Sequence, residues 1–151
     1  KKPNVLTLRT FSKAYGIAAI RIGYALGHPS LIEALNKVRM TFAPSNLAQA
    51  AGIGAIQDKA HLQQTIDLNT KAVSQFYLAL HEKEINYIPS YGNFVMVDLN
   101  SQEQAAEFTA KLMKKGVFVR HLPAFGLPQC VRISTGTEEE NDLFCKVISE
   151  L

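Results

Sequence analysis

The last third of the chain alternates between strand-like and helix-like patterning, and that alternation constrains the fold more than any other feature of the sequence. Residues 93–99 form a β-prone run. Ser101, Gln102, Glu103 and Gln104 then make a helix-opening box, followed by Ala105, Phe108, Leu112 and Met113 on one inward stripe and by Gly116 as a stop. Thr109 falls on the same stripe, where its branched side chain lowers helix propensity only slightly. Two more strands are expected at 117–120 and 131–134, joined by a loop containing Pro123, Gly126 and Pro128. Thr137 and Glu140 cap a final helix that places Leu143, Phe144, Val147, Ile148 and Leu151 on one face. A mixed α/β layer buries such faces, and 47% hydrophobic against 19% charged residues supplies the material for it.

Upstream, β-prone segments at 5–9 and 22–26 flank a Gly- and Ala-containing stretch, which reads as strand, turn, strand. Ser30 and Glu33 have the spacing of a capping box and are expected to open a helix running to about residue 39, with Pro44 closing the region. Ser45 caps a second helix of small residues (Ala48, Ala50, Ala51, Gly52, Gly54, Ala55), expected to be buried. Residues 58–83 carry apolar side chains at near-helical spacing and are expected to form one long helix able to link two domains.

Several function classes are disfavoured. The net charge of +3 is dispersed, with no basic run and no aromatic residues interleaved with arginines, so nucleic acid is not expected as a partner. No apolar stretch approaches the roughly 20 residues that cross a bilayer, and nothing resembles a signal peptide, so a soluble cytosolic protein without a membrane partner is expected. Cys130 and Cys145 read as reduced packing residues. His28, His61, His81 and His121 lack metal-ligand spacing, so no metal is expected.

The chemistry is concentrated in Thr10-Phe11-Ser12-Lys13-Ala14-Tyr15-Gly16, followed by Arg21-Ile22-Gly23-Tyr24. A lysine just past a strand, beside a hydroxyl and with an arginine eight positions on, suits a cofactor bearing both an aldehyde and a phosphate. Lys13 would supply the amine for a Schiff base. Ser12 and Arg21 would hold the phosphate, Arg21 through its bidentate fork. Residue by residue, plainer readings stay open: a solvated lysine, a turn serine, a salt-bridged arginine.

The second region is Gly116-Val117-Phe118-Val119-Arg120-His121-Leu122, then Gly126-Leu127-Pro128 and Val131-Arg132-Ile133-Ser134-Thr135-Gly136-Thr137-Glu138-Glu139-Glu140-Asn141. Strand alternation puts Arg132 on the face opposite Val131 and Ile133, free to reach a ligand carboxylate or to face solvent. Asn93 could bind substrate or cap the turn before its strand. Tyr15 and Tyr24 could line a site or belong to the core.

Together the strings resemble fold-type I pyridoxal-phosphate-dependent aminotransferases, the first as their cofactor-lysine segment and the second as their C-terminal signature, particularly in histidinol-phosphate aminotransferases. The resemblance covers essentially the whole chain but only about the C-terminal two-fifths of a typical member. It implies an α/β fold, with residues 1–56 as the end of the large cofactor domain and 57–151 as a linking helix plus the small domain. It implies pyridoxal 5'-phosphate bound by Ser12, Lys13 and Arg21, with Lys13 as the catalytic proton shuttle. Arg132 would bind the substrate's α-carboxylate or the group in its place, Arg120 the phosphate of histidinol phosphate, and Asn93 would also contact substrate.

The implied reaction exchanges an amino group between histidinol phosphate and 2-oxoglutarate, giving imidazole acetol phosphate and glutamate in histidine biosynthesis, within a homodimer. Relatives that act on aromatic amino acids or decarboxylate threonine phosphate are the enzymatic alternatives, and a non-catalytic assembly module is the alternative from another class. The family's pyridine-binding aspartate precedes its lysine. Here Asp58, Asp67, Asp98 and Asp142 all follow Lys13, so the 151-residue piece alone is expected to have little or no activity.

Overall fold

The computed structural model describes residues 3–151. The chain divides into two compact units, Lys1–Ile66 and Asp67–Leu151. In the first, strands β1 (Leu6–Thr10) and β2 (Gly23–Gly27) pair antiparallel, with Leu6 opposite Gly27 and Thr10 opposite Gly23. Each begins one residue later than the sequence suggests. At the closed end a side chain on Gly23 would bring its Cβ within 2.6 Å of the Arg9 carbonyl oxygen, so only glycine permits this approach.

Helix α1 (Pro29–Val38) starts earlier than expected. His28 is the cap, its Nδ1 accepting from the Ser30 backbone at 3.4 Å, and Pro29 occupies the first turn. Proline's fixed φ suits that position, so Ser30 lies inside the helix and the anticipated box does not form. Ser45 does cap α2 (Asn46–Gln57), accepting from Ala48 N at 3.2 Å. The expectation of a buried α2 is corrected: only Ala48 and Gly52 are buried, while Leu47, Ile53 and Ile56 are exposed. The small residues make one narrow stripe, where a Cβ on Gly52 would sit 2.9 Å from Ile22 Cδ1. Helix α3 (Lys59–Glu82) follows, with Asp58 Oδ1 accepting from His61 N at 2.9 Å.

In the second unit a four-stranded antiparallel sheet has the order β3-β4-β6-β5, with β3 at Tyr87–Ile88, β4 at Phe94–Asp98, β5 at Arg120–Leu122 and β6 at Leu127–Ser134. Val95, Val97, Val131 and Ile133 pack in one core with Phe76 and Leu80 of α3, with Phe108 and Leu112 of α4 (Gln102–Lys114), and with Phe144 and Ile148 of α5 (Glu138–Ser149). Ser101 caps α4, and Thr137 and Glu140 form the complete reciprocal box on α5.

Three details differ from the sequence reading. Met113 and Leu143 are exposed because each helix buries a narrower stripe than its full apolar set, and Leu151 is exposed because α5 ends at Ser149. Residues 117–119 are not a strand: Val117 N still donates to Leu112 O at 3.0 Å, which holds the chain to the end of α4, and pairing starts only at Arg120. The last strand is longer than anticipated and begins at Leu127.

Candidate active site

In the first unit the β1–β2 connection is a closed loop with Lys13 near its apex. Gly16 N donates to Lys13 O at 2.8 Å, Ile17 N to Phe11 O at 3.2 Å, and Phe11 N to Ile22 O at 3.2 Å. Gly16 lies at φ +71°, which a side chain would oppose. The loop hangs on Phe11, only 3% exposed, whose ring centroid lies 4.8 Å from that of Tyr15 and 5.9 Å from that of Tyr24. Both tyrosines therefore lean on this anchor. Ser12 uses its backbone N–H on Thr10 Oγ1 at 3.0 Å.

Arg21 closes the loop in a left-handed conformation, φ 56° and ψ 51°, at the end of a 3-10 turn over Ala18–Ile20. Its backbone N–H donates to the Ala18 carbonyl at 3.3 Å, and its Nη1 donates to the same oxygen at 2.8 Å. A bulky residue there is uncommon, and the conformation costs about 1 kcal/mol or more.

In the second unit Arg132 lies on the face opposite buried Val131 and Ile133, as alternation requires. Arg120 stands directly across from it on β5, and Met96 across from it on β4. The Arg132 guanidinium carbon is 5.6 Å from the centroid of the Phe94 ring, and its Nε is buried without a hydrogen-bond partner. Asn93 precedes β4. Its carbonyl accepts from Thr135 N at 3.0 Å, which ties the start of β4 to the end of β6 by backbone rather than side chain.

The charges divide by type. Among the described residues the ion pairs Lys37–Glu33, Lys71–Glu138, Lys111–Glu107 and Lys115–Glu150 all use lysines. Among the described residues Lys13 has no carboxylate partner, nor has any of the five arginines. No three His, Cys, Asp or Glu gather as a metal cluster among those residues, and no helix is long and apolar enough to cross a membrane.

Two residues of the second unit escaped the sequence reading. Phe94 shares the Arg132 face by simple alternation from Val95, a signal that was available. Asn141, 1% exposed, accepts from Gly136 N at 2.9 Å and donates to Gly136 O at 3.1 Å. It pins the turn that follows β6, and only its place in the Glu-Glu-Asn string hinted at that.

The chain is similar to known proteins along nearly its whole length. The pattern of the family described as aminotransferase class I and II matches residues 1–148. The chain is 43% identical, over 98% of its length, to the histidinol-phosphate aminotransferase of Caldicellulosiruptor saccharolyticus, and covers 41% of that protein. It is 41% identical, over 97% of its length, to histidinol-phosphate aminotransferase 1 of Nitrosococcus oceani, and covers 39% of it. The crystal structure of the Sinorhizobium meliloti histidinol-phosphate aminotransferase in complex with pyridoxal-5'-phosphate superposes with a TM-score of 0.83 at 34% identity, covering 99% of this chain and 42% of that one. The chain thus spans about two-fifths of the length of the curated relatives it matches. With the fold-type I architecture shared and the family pattern running through both units, the chain belongs to the class I and II aminotransferase family.

Proposed function

We propose that the complete protein containing this chain is a pyridoxal-phosphate-dependent aminotransferase that interconverts histidinol phosphate and imidazole acetol phosphate with 2-oxoglutarate and glutamate in histidine biosynthesis. The observation that carries this reading is the loop over residues 11–21. It exposes a lysine with no ion-pair partner and keeps an arginine in a costly left-handed backbone, where a scaffold free of chemistry would favour glycine.

The cofactor fits the residues present. Lys13 Nζ is an accessible amine for an aldehyde, and the Arg21 fork and the Ser12 hydroxyl supply donors for a phosphate. When bound, pyridoxal phosphate supplies a ring that withdraws electrons from the carbon carrying the amino group. Lys13 Nζ is then the group that carries a proton from and to that carbon. Arg132 takes the carboxylate of glutamate or the group in its place, and Arg120 takes the phosphate, two cations facing one anionic end of the substrate. Asn93, the residue before β4, would offer its side-chain amide as a further substrate donor.

We read residues 1–56 as the end of the cofactor domain and 57–151 as linking helix and small domain. We also read the complete protein as a cytosolic homodimer, as the family resemblance implies, and sedimentation of that protein checks the dimer.

The primary test is an absorbance spectrum of the complete gene product with pyridoxal phosphate. A band near about 410–430 nm is expected for the wild type and not for Lys13→Ala, and histidinol phosphate should bleach it. A missing band removes the cofactor assignment and favours a non-catalytic module. A band that ignores histidinol phosphate, together with failure to rescue a histidine auxotroph, removes the substrate in favour of an aromatic amino acid or threonine phosphate.

A further inference from the structure

We propose that Phe94 is the positioning residue for Arg132, holding its guanidinium over the open face of the sheet without consuming its hydrogen-bond donors. This rests on the reading of Arg132 as an anion-binding group.

Arg120 and Arg132 are directly opposite each other on β5 and β6, an arrangement in which like charges repel. Long cationic side chains so placed tend to swing apart into solvent. Something must hold Arg132, and among the described residues no carboxylate does. Phe94 does so instead. Its ring centroid lies 5.6 Å from the guanidinium carbon, inside the roughly 6 Å range of a cation–π attraction.

The type of support matters to function. The five N–H groups of a guanidinium all lie in its plane, so a carboxylate partner takes up in-plane donors of the kind that a substrate carboxylate or phosphate needs. An aromatic face attracts the cation from outside that plane. Arg132 therefore keeps a bidentate edge for substrate, and its buried, unpartnered Nε marks the side turned away from protein donors and acceptors.

The ring itself has a prepared seat. Phe94 is 37% exposed at the first position of β4, paired with Ser134. A Cβ on Gly92 would lie 3.4 Å from Phe94 Cε1, so the ring rests against a residue with no side chain. Gly92 is fixed in turn: its N–H donates to Ser90 Oγ at 3.1 Å and its carbonyl accepts from Asn69 Nδ2 at 3.2 Å. Glycine at 92 and phenylalanine at 94 thus act together to place one face of one ring.

The test uses the complete protein and four variants: Phe94→Leu, Phe94→Tyr, Gly92→Ala and Arg132→Ala. Affinity for inorganic phosphate is read by calorimetry, alongside KM and kcat. Phe94→Leu is expected to weaken phosphate binding and raise KM by about fivefold to tenfold, the size of one cation–π contact, and to lower kcat by less than about threefold. Phe94→Tyr should restore phosphate binding to within about twofold, because it keeps the π face. Gly92→Ala should fall between the two. If Arg132→Ala weakens phosphate binding but Phe94→Leu does not, the positioning role is overturned and the anion site stands. If Phe94→Leu weakens binding and Phe94→Tyr fails to restore it, the ring acts only as packing and the proposal is equally overturned. If Arg132→Ala changes nothing, the anion reading of Arg132 fails first.

Discussion

At the scale of single residues, the most informative feature is a residue in the wrong conformation for its type. Arg21 holds φ 56°, a region natural to glycine, and anchors both its backbone and its guanidinium to one carbonyl, that of Ala18. Arg21→Gly removes strain of about 1 kcal/mol but adds comparable chain entropy to the unfolded state, so stability should change by less than about 1 kcal/mol. Affinity of the complete protein for pyridoxal phosphate should meanwhile fall at least tenfold or so, since a charge-assisted fork is lost. Chemical denaturation and a fluorescence titration of the cofactor would show that separation. A large loss of stability would mean that the arginine is retained for the fold instead. That Ser12, Lys13 and Arg21 share one connection was legible in the sequence because all three lie close together in it, between two strand-like segments. Alternation from Val95 gives the strand face of Phe94, but its proximity to Arg132 exists only once β4 and β6 are paired.

At the scale of elements, legibility followed locality. Caps are local signals, and Ser45, Ser101 and Thr137 each open the helix that the sequence assigns to them. Ser30 failed because a neighbouring proline and a histidine ring outcompeted it for the same helix start. Strand pairing is not local. Residues 117–119 have strand composition, yet a single hydrogen bond from Val117 N to Leu112 O holds them at the end of α4. The helix α5 offers a direct measure of capping: Thr137→Ala breaks the reciprocal box with Glu140 and should lower the unfolding free energy by about 1 kcal/mol, read as a shifted denaturation midpoint with unchanged slope. An unchanged midpoint would mean that the buried Asn141, bonded twice to Gly136, already fixes that turn without the box.

At the scale of the whole molecule, the α/β class follows from the repeated switch of period, whereas the exposure of the first unit does not. Its small-residue helix promised burial, yet Leu47 of that helix is well exposed, as are Val38, Met40 and Phe42 just before it, Phe42 at 94%. Apolar patches of that kind drive association in water. The 151-residue chain studied alone is therefore expected to self-associate with rising concentration in sedimentation velocity, and an Arg39-to-Leu47 segment carrying Met40→Ser and Phe42→Ser should associate less. A chain that stays monomeric at high concentration would show that these side chains are tolerated singly.

The separation of lysines, which hold the ion pairs, from arginines, which hold none among the described residues, bears on how the protein should be handled. Ion pairs on the surface are worth little and are weakened further by salt, while an arginine pair without carboxylate partners keeps its donors open to oxyanions in solution. Buffer choice thus becomes part of the assay. On the proposed anion-binding role of Arg120 and Arg132, phosphate and sulfate would compete there with substrate, so an apparent substrate constant measured in a phosphate buffer would describe displacement of the buffer as much as recognition of the substrate.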